Sequence, residues 1–257
     1  MDKRRHYALV GRSLGHSWSQ RWFEAMFLRQ GLSDCSYSLC EMPSLDGLRR
    51  WVADGHICGF NVTVPYKVAI LPLLDAMSDD ARAIGAVNCV CVHPGGRLVG
   101  HNTDWRAFSE SLLSSGTPLP STALVLGSGG AARAVAYALG RLGVDSCFVS
   151  RTPGSCPVPD AISYDEARRR AAAAPSLLLV NATPVGMWPD VDASPWPWPD
   201  DFSSRWTVYD LTYNPSPTLL MRHAAARGAT VHDGLDMLQR QAALGWQLWQ
   251  NPAAAAL

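Results

Sequence analysis

Apolar side chains recur every second residue in some stretches of this chain and every third or fourth in others, which divides it into strands and helices. HYALVG (6–11) predicts a strand, SWSQRWFEAMFLRQG (17–31) a helix closed by Gly31, and CSYSLCEM (35–42) a second strand. PSLDGLRRWVADG predicts a helix with Pro43 near its start and Gly55 past its end. A strand NVTVP (61–65), a helix from Tyr66 to Leu74 and a helix capped by Ser78 come next. AVNCVCVHPGGRLVGHN (86–102) then reads as a hairpin turning on Pro94, Gly95 and Gly96, completing an α/β unit of about a hundred residues.

From Thr122 the alternation is more regular. TALVLG, SCFVSR, SLLLVN, WTVYDL and ATVH predict strands, separated by helical stretches such as AARAVAYALGRLG and SPTLLMRHAAARG. Ser163 and Glu166 form a capping box before the helix between the second and third of these strands. Apolar strands alternating with helices predict a parallel sheet covered on both faces, with right-handed crossovers. The last periodic stretch, GLDMLQRQAALGWQLW, is one amphipathic helix whose pattern does not say which unit it packs on. WPDVDASPWPWPDD has prolines at 189, 195, 197 and 199 and predicts a loop, pinned by its tryptophans rather than serving as a lid. The terminal PAAAAL is expected to fray.

Composition narrows the class. At 257 residues and 47% hydrophobic content the chain can bury a substantial core, in one large domain or two modest ones. Twenty-two basic residues balance 22 acidic ones without a basic run, so neither nucleic acid nor an anionic membrane is an expected partner. No stretch approaches the ~20 apolar residues of a membrane span, and a cytoplasmic location is expected. Seven cysteines, at 35, 40, 58, 89, 91, 147 and 156, include no CxxC and none at metal spacing with a histidine. We expect reduced, mostly buried thiols, with Cys89 and Cys91 in a core, and no metal.

Two stretches carry chemistry. In NVTVPYK, Val62 and Val64 are read on one face of a short strand, with Asn61 and Thr63 on the other, converging on Lys67 at the strand end. A lysine held there beside an amide and a hydroxyl is desolvated in a way that an exposed lysine is not, although an ordinary surface lysine shares the pattern. Asn102, Thr103 and Asp104 follow the hairpin where the chain leaves the first unit. Asp104 caps the next helix or meets Lys67.

The second stretch is Gly127, Ser128, Gly129, Gly130, Ala131, Ala132 between a strand and a helix, a GxGxxA dinucleotide fingerprint. The first glycine allows the tight turn, the second a close approach of backbone to pyrophosphate, and Ala132 close packing of helix on strand. At the end of the following strand, where an NAD site has an acid, stand Ser150, Arg151 and Thr152, and Asp145 is at the wrong end of the strand. A guanidinium and two hydroxyls suit a ribose phosphate, so the cofactor is read as NADP.

Taken together, HSWS (16–19), NVTVPYK, GAVN (85–88), NTD, GSGGA, SRT, NATPVGM (181–187), YDLTYNP (209–215) and GLDMLQRQA resemble the shikimate dehydrogenase family from end to end. The resemblance implies an N-terminal α/β substrate domain of residues 1–103, completed by 236–257, and a Rossmann-like NADP-binding domain of residues 104–235 with a parallel sheet. The C-terminal helix would return to the substrate domain. It implies reduction of 3-dehydroshikimate to shikimate with NADPH, in aromatic amino-acid biosynthesis, by a monomer or homodimer.

By the same resemblance, Lys67 and Asp104 are the catalytic pair. Ser17 and Ser19 bind the substrate carboxylate, and Thr63, Asn88, Tyr213 and Gln241 line its pocket. Gly127, Ser128, Gly129, Gly130 and Ala131, with Ser150, Arg151 and Thr152, contact the phosphates. Thr183, Met187, Leu211 and Gly234 surround the ribose and nicotinamide. Gln20, Phe23, Glu24 and Ala107 depart from the usual family residues, which leaves the entry of the first helix and the strictness of substrate choice open. A quinate or dual quinate and shikimate dehydrogenase, and a non-catalytic NADP-binding sensor, are the alternatives.

Overall fold

The computed structural model describes residues 4–15 and 17–251, so His16 of the HSWS motif and the terminal PAAAAL lie outside the described residues. In chain order the elements are β1 (Arg5–Gly11), α1 (Ser19–Arg29), β2 (Cys35–Glu41), α2 (Leu48–Asp54), β3 (Ile57–Val62), α3 (Tyr66–Ala69), β4 (Ala76–Met77), α4 (Asp79–Ile84), β5 (Cys89–His93) and β6 (Arg97–His101). There follow α5 (Asp104–Ser114), β7 (Thr122–Leu126), α6 (Gly130–Arg141), β8 (Asp145–Val149), α7 (Tyr164–Ala173), β9 (Leu177–Asn181), β10 (Trp206–Asp210), α8 (Leu219–Ala226), β11 (Thr230–His232) and α9 (Leu235–Gln250). The chain divides into two units, residues 1–104 with 238–257, and residues 105–237.

The first unit is built on a sheet in the order β2-β1-β3-β5-β6-β4. β1 runs parallel to β2 and β3, while β3, β5 and β6 alternate in direction. Both faces of β1 are buried. Ala8 and Val10 join Leu48, Phe60, Val62 and Ile70 on one face, and Tyr7 and Leu9 join Phe23, Phe27, Cys89 and Cys91 on the other. Burial on two sides is why HYALVG reads as an almost continuous apolar run. The second face is covered by α1 and by α9, whose Ala242, Trp246 and Trp249 enter this core. The Trp249 indole stacks 4.8 Å from Tyr7 and donates a hydrogen bond to the Val90 carbonyl at 3.0 Å. The C-terminal helix thus returns to the first unit.

The second unit has the parallel order β11-β10-β9-β7-β8. Leu124, Leu126, Leu177, Leu179 and Val208 pack with α7 and α8 residues on one face. Ala123, Val125, Leu178 and Val180, which alternate with them, are equally buried, and Tyr209 meets Phe108 of α5 at 5.0 Å. In the proline-rich loop, Trp196 is fully buried against Tyr164, Trp198 and Trp206, so aromatic packing pins that loop.

Several local expectations need correction. α2 starts at Leu48, behind Gly47, so Pro43 belongs to the preceding turn. β3 ends at Val62, the last residue paired with β1, and Val64 is 66% exposed instead of sharing a buried face with Val62. The short strand β4 has too few residues to show a period. Ser163 caps α7 by accepting from the Glu166 backbone N–H at 3.2 Å, but the Glu166 carboxylate turns to Arg169 and Arg170 instead of back to the cap. All seven cysteines are free thiols, and only Cys89 and Cys91 are buried. Cys35, Cys40 and Cys147 lie on edge strands, Cys58 at the register shift near the start of β3 and Cys156 in a loop, which leaves these five partly exposed.

Candidate active site

Sheet order brings the first unit's candidates to one edge. β1, β3 and β6 run in one direction and β5 in the other, so the turns after β1, β3 and β6 and the residue before β5 share that edge. Those positions carry Ser17, Thr63, Lys67, Asn88 and Asp104.

Lys67 lies on α3, not at a strand end. The Tyr66 N–H donates to the Thr63 carbonyl at 2.8 Å, folding the chain out of the strand and into the helix. Its ammonium, on a side chain 15% exposed, donates to Asp104 Oδ2 at 2.6 Å, and the Asp104 side chain is 5% exposed. Asp104 Oδ1 accepts from Asn88 Nδ2 at 2.8 Å, and its backbone N–H donates to the Asn102 side chain at 3.0 Å. Asp104 begins α5, yet its carboxylate is committed to Lys67 and Asn88. The Lys67 and Asn88 partners of this enclosed carboxylate replace the water contacts that burial removes.

Asn88 is the hub. Its carbonyl oxygen accepts from the Thr103 N–H at 2.7 Å, and its amide reaches the Thr103 hydroxyl at 2.9 Å and Gln241 Oε1 at 3.4 Å. Gln241 comes from α9, and its backbone carbonyl accepts from the Thr103 hydroxyl at 3.2 Å. Asn61 does not converge on Lys67. It points into the core, where it accepts from the Tyr37 hydroxyl at 2.8 Å and donates to the Asn88 backbone carbonyl at 3.3 Å. Asn102, Thr103 and Tyr37 therefore hold the arrangement, although the sequence assigns them no role. The NTD motif marks the first two, whereas a tyrosine alternating within a strand carries no such signal.

Ser17 and Ser19 stand where α1 begins. The Ser17 hydroxyl accepts from the Ser19 N–H at 3.3 Å, and the first turn of α1 has no side-chain cap and no acid. Two hydroxyls at an uncapped helix N-terminus suit a carboxylate.

In the second unit, β7 runs into Gly127, whose φ of +102° is a left-handed conformation, and a Cβ there would press on Ala182 and Thr183. Gly129 precedes α6 with no side-chain cap, no acid follows in the first turn, and a Cβ on Gly129 would meet nothing, so its backbone is open to a ligand. Buried Ala132 seats the helix. These features fit a dinucleotide pyrophosphate. Ser150 and exposed Arg151 and Thr152 follow β8 at the same end of the sheet. The Cys156 thiol also lies against Ser128 and Ser150, a neighbour no motif announces.

Thr183 and Met187 occupy the turn after β9, Leu211 and Tyr213 the turn after β10, and Gly234 the position just before α9. The Leu211 N–H donates to the Asn181 carbonyl at 3.0 Å and the Gly234 N–H to the Thr212 carbonyl at 3.2 Å, which gathers these segments at one end of the parallel sheet. A Cβ on Gly234 would collide with the Leu211 carbonyl.

A parallel sheet with a glycine turn and uncapped helix, in one chain with a desolvated lysine–aspartate pair, defines the class of dinucleotide-dependent dehydrogenases. Residues 9–90 match the sequence profile of the shikimate dehydrogenase substrate binding domain. The NADP(+) shikimate dehydrogenase of Salinibacter ruber is 40% identical over 95% of this chain and 91% of its own length. The chain belongs to the shikimate dehydrogenase family. Among solved structures, the shikimate 5-dehydrogenase of Thermus thermophilus, in complex with NADP(H) and shikimate, superposes with a TM-score of 0.84 and 38% identity, covering 96% of this chain and 94% of that one. A quinate dehydrogenase of Corynebacterium glutamicum in complex with NAD gives 0.83 and 28%, covering 96% and 94%.

Proposed function

We propose that the chain interconverts 3-dehydroshikimate and shikimate with NADP as cofactor, a step of aromatic amino-acid biosynthesis, with Lys67 moving the proton. The observation that carries this reading is the enclosed Lys67–Asp104 pair, anchored by Asn88, in a chain that also bears the dinucleotide turn.

Bound NADPH supplies a hydride to the carbonyl carbon. Lys67 as an ammonium polarises the ketone oxygen and donates its proton there; in the opposite direction, as an amine, it takes the proton from the hydroxyl. Asp104 fixes the lysine and accepts from a ring hydroxyl of the substrate. Asn88 keeps that carboxylate in place, and Asn88, Gln241, Thr63 and Tyr213 line the substrate pocket. Ser17 and Ser19, with the N–H groups opening α1, bind the carboxylate. Gly127, Ser128, Gly129, Gly130 and Ala131 hold the pyrophosphate, and Ser150, Arg151 and Thr152 hold the 2′-phosphate. Thr183, Met187, Leu211 and Gly234 surround the ribose and nicotinamide.

On this reading residues 1–103 with 236–257 form the substrate domain and 104–235 the NADP domain. The enzyme works as a monomer or homodimer in the cytoplasm, without nucleic acid or membrane. Among the described residues no helix is long and apolar enough to cross a membrane.

The test is a spectrophotometric assay of purified protein with shikimate and quinate against NADP and NAD. Efficient turnover of shikimate with NADP supports the reading. Turnover of quinate at equal or higher kcat/KM assigns a quinate or dual enzyme, and binding of NADP without turnover of either assigns a sensor.

A further inference from the structure

Asp210, at the end of β10, is fully buried and takes no part in the roles given above. Its Oδ1 accepts from Asn181 Nδ2 at 2.9 Å and from the Thr212 N–H at 3.0 Å, and its Oδ2 accepts from the Thr218 hydroxyl at 2.8 Å. Burial pushes this carboxyl upward, and the hydrogen bonds from Thr212, Thr218 and Asn181 oppose that push. Asn181, equally buried at the end of β9, extends the network. Its side-chain Oδ1 accepts from the Thr183 N–H at 3.0 Å and the Thr183 hydroxyl at 2.7 Å, and its amide also reaches the Val185 carbonyl at 3.3 Å. One side-chain pair therefore closes the turn after β9 and the turn after β10 onto each other.

Those turns carry Thr183, Met187, Leu211 and Tyr213. Neither Asp210 nor Asn181 reaches the surface, so neither touches a ligand. We propose that Asp210 and Asn181 are positioning residues that lock the two turns into the geometry needed to hold the nicotinamide end of the cofactor, an inference that rests on the NADP reading of those turns. A surface loop without such a pair samples several arrangements, and small misplacements of binding groups are costly in catalysis. The network has a built-in control in Thr218, which donates to the same carboxylate but caps α8, accepting from the Met221 N–H at 3.3 Å.

The experiment compares Asn181→Ala, Asp210→Asn and Thr218→Val with the wild type by thermal melting, by NADPH binding without substrate read by fluorescence, and by kcat and KM at temperatures where each variant is fully folded. Asn181→Ala and Asp210→Asn should weaken NADPH binding about tenfold and lower kcat by a similar factor, while Thr218→Val should lower the melting temperature and leave both constants within about twofold. Should Asn181→Ala fail to fold, the smaller change Asn181→Ser carries the same expectation. Wild-type NADPH binding and turnover in folded Asn181 and Asp210 variants would overturn the proposal, as would equal losses in Thr218→Val. A wild type that binds NADPH but turns over neither shikimate nor quinate would overturn the catalytic reading alone, because the binding measurement would still decide the positioning role.

Discussion

Lys67 donates to Asp104 across 2.6 Å although 37 residues separate them, and the other oxygen of the same carboxylate takes the Asn88 amide at 2.8 Å. Each oxygen of Asp104 thus has its own partner, one of which is the group assigned to proton transfer.

Replacing Lys67 with Ala should lower kcat by roughly 10² to 10⁴ with NADPH binding almost unchanged. Asp104→Ala removes the partner of an enclosed cation and should also cost turnover. Because the two side chains act as a unit, the double variant should lose less than the sum of the single losses. Steady-state kinetics of the three variants, with NADPH binding by fluorescence, decide this; a Lys67→Ala enzyme with wild-type kcat would remove the lysine from the mechanism.

Arg151 is exposed beside Ser150 and Thr152, with no carboxylate at the end of β8 to take ribose hydroxyls. Charge-assisted hydrogen bonds to a 2′-phosphate contribute about 1.5 to 3 kcal/mol each, or roughly ten- to a hundredfold. The wild type should therefore prefer NADP over NAD by at least about tenfold in kcat/KM. Arg151→Ala should abolish most of that preference by weakening NADP use, leaving NAD use as poor as before. A variant that keeps the preference would show that another group reads the phosphate.

The cysteines should react in a fixed order. Burial pushes Cys89 far up and Cys91 to about 12, so both should resist thiol reagents in the native protein. At Cys156 burial raises the thiol, but hydrogen bonds with Ser128, the Val158 backbone and Ser150, with the charge of Arg133, overcome it and lower it on balance. Cys156 should be alkylated ahead of Cys89 and Cys91. Because it lies against Ser128 and Ser150, NADP should slow that alkylation, as mass-spectrometric mapping with and without cofactor would reveal; equal rates in both conditions would count against a cofactor phosphate at these serines.

His232 gives the stability a pH dependence. Burial lowers it below the ordinary 6.5, with Asp233 opposing, and its Nε2 sits 3.1 Å from the Thr117 hydroxyl. On acidification the unfolded chain therefore binds this proton before the folded one does. The stabilisation is fully present above about 6.5 and is lost as pH falls through that value toward the lower folded one. The melting temperature should drop as pH falls below about 6.5, and His232→Gln should make that drop shallower. An unchanged slope in the variant would assign the acid sensitivity to other groups.

Much of the architecture is legible in local pattern. The five strands of the second unit, the glycine turn, Arg151 without a competing acid, and the hairpin on Pro94 to Gly96 follow from periodicity and turn chemistry, which depend on near neighbours in the chain. The NVTVPYK motif singles out Lys67 but misplaces it. Pairing with β1 stops at Val62, so the remaining residues turn into α3, expose Val64 and leave Asn61 facing the core. What joins Lys67 to Asp104, Asn88 to Gln241 and Asp210 to Asn181 is sheet order and the return of α9. Such contacts span tens to more than a hundred residues, and they form because strand pairing and burial of Trp246 and Trp249 bring distant segments together, a condition no local period encodes.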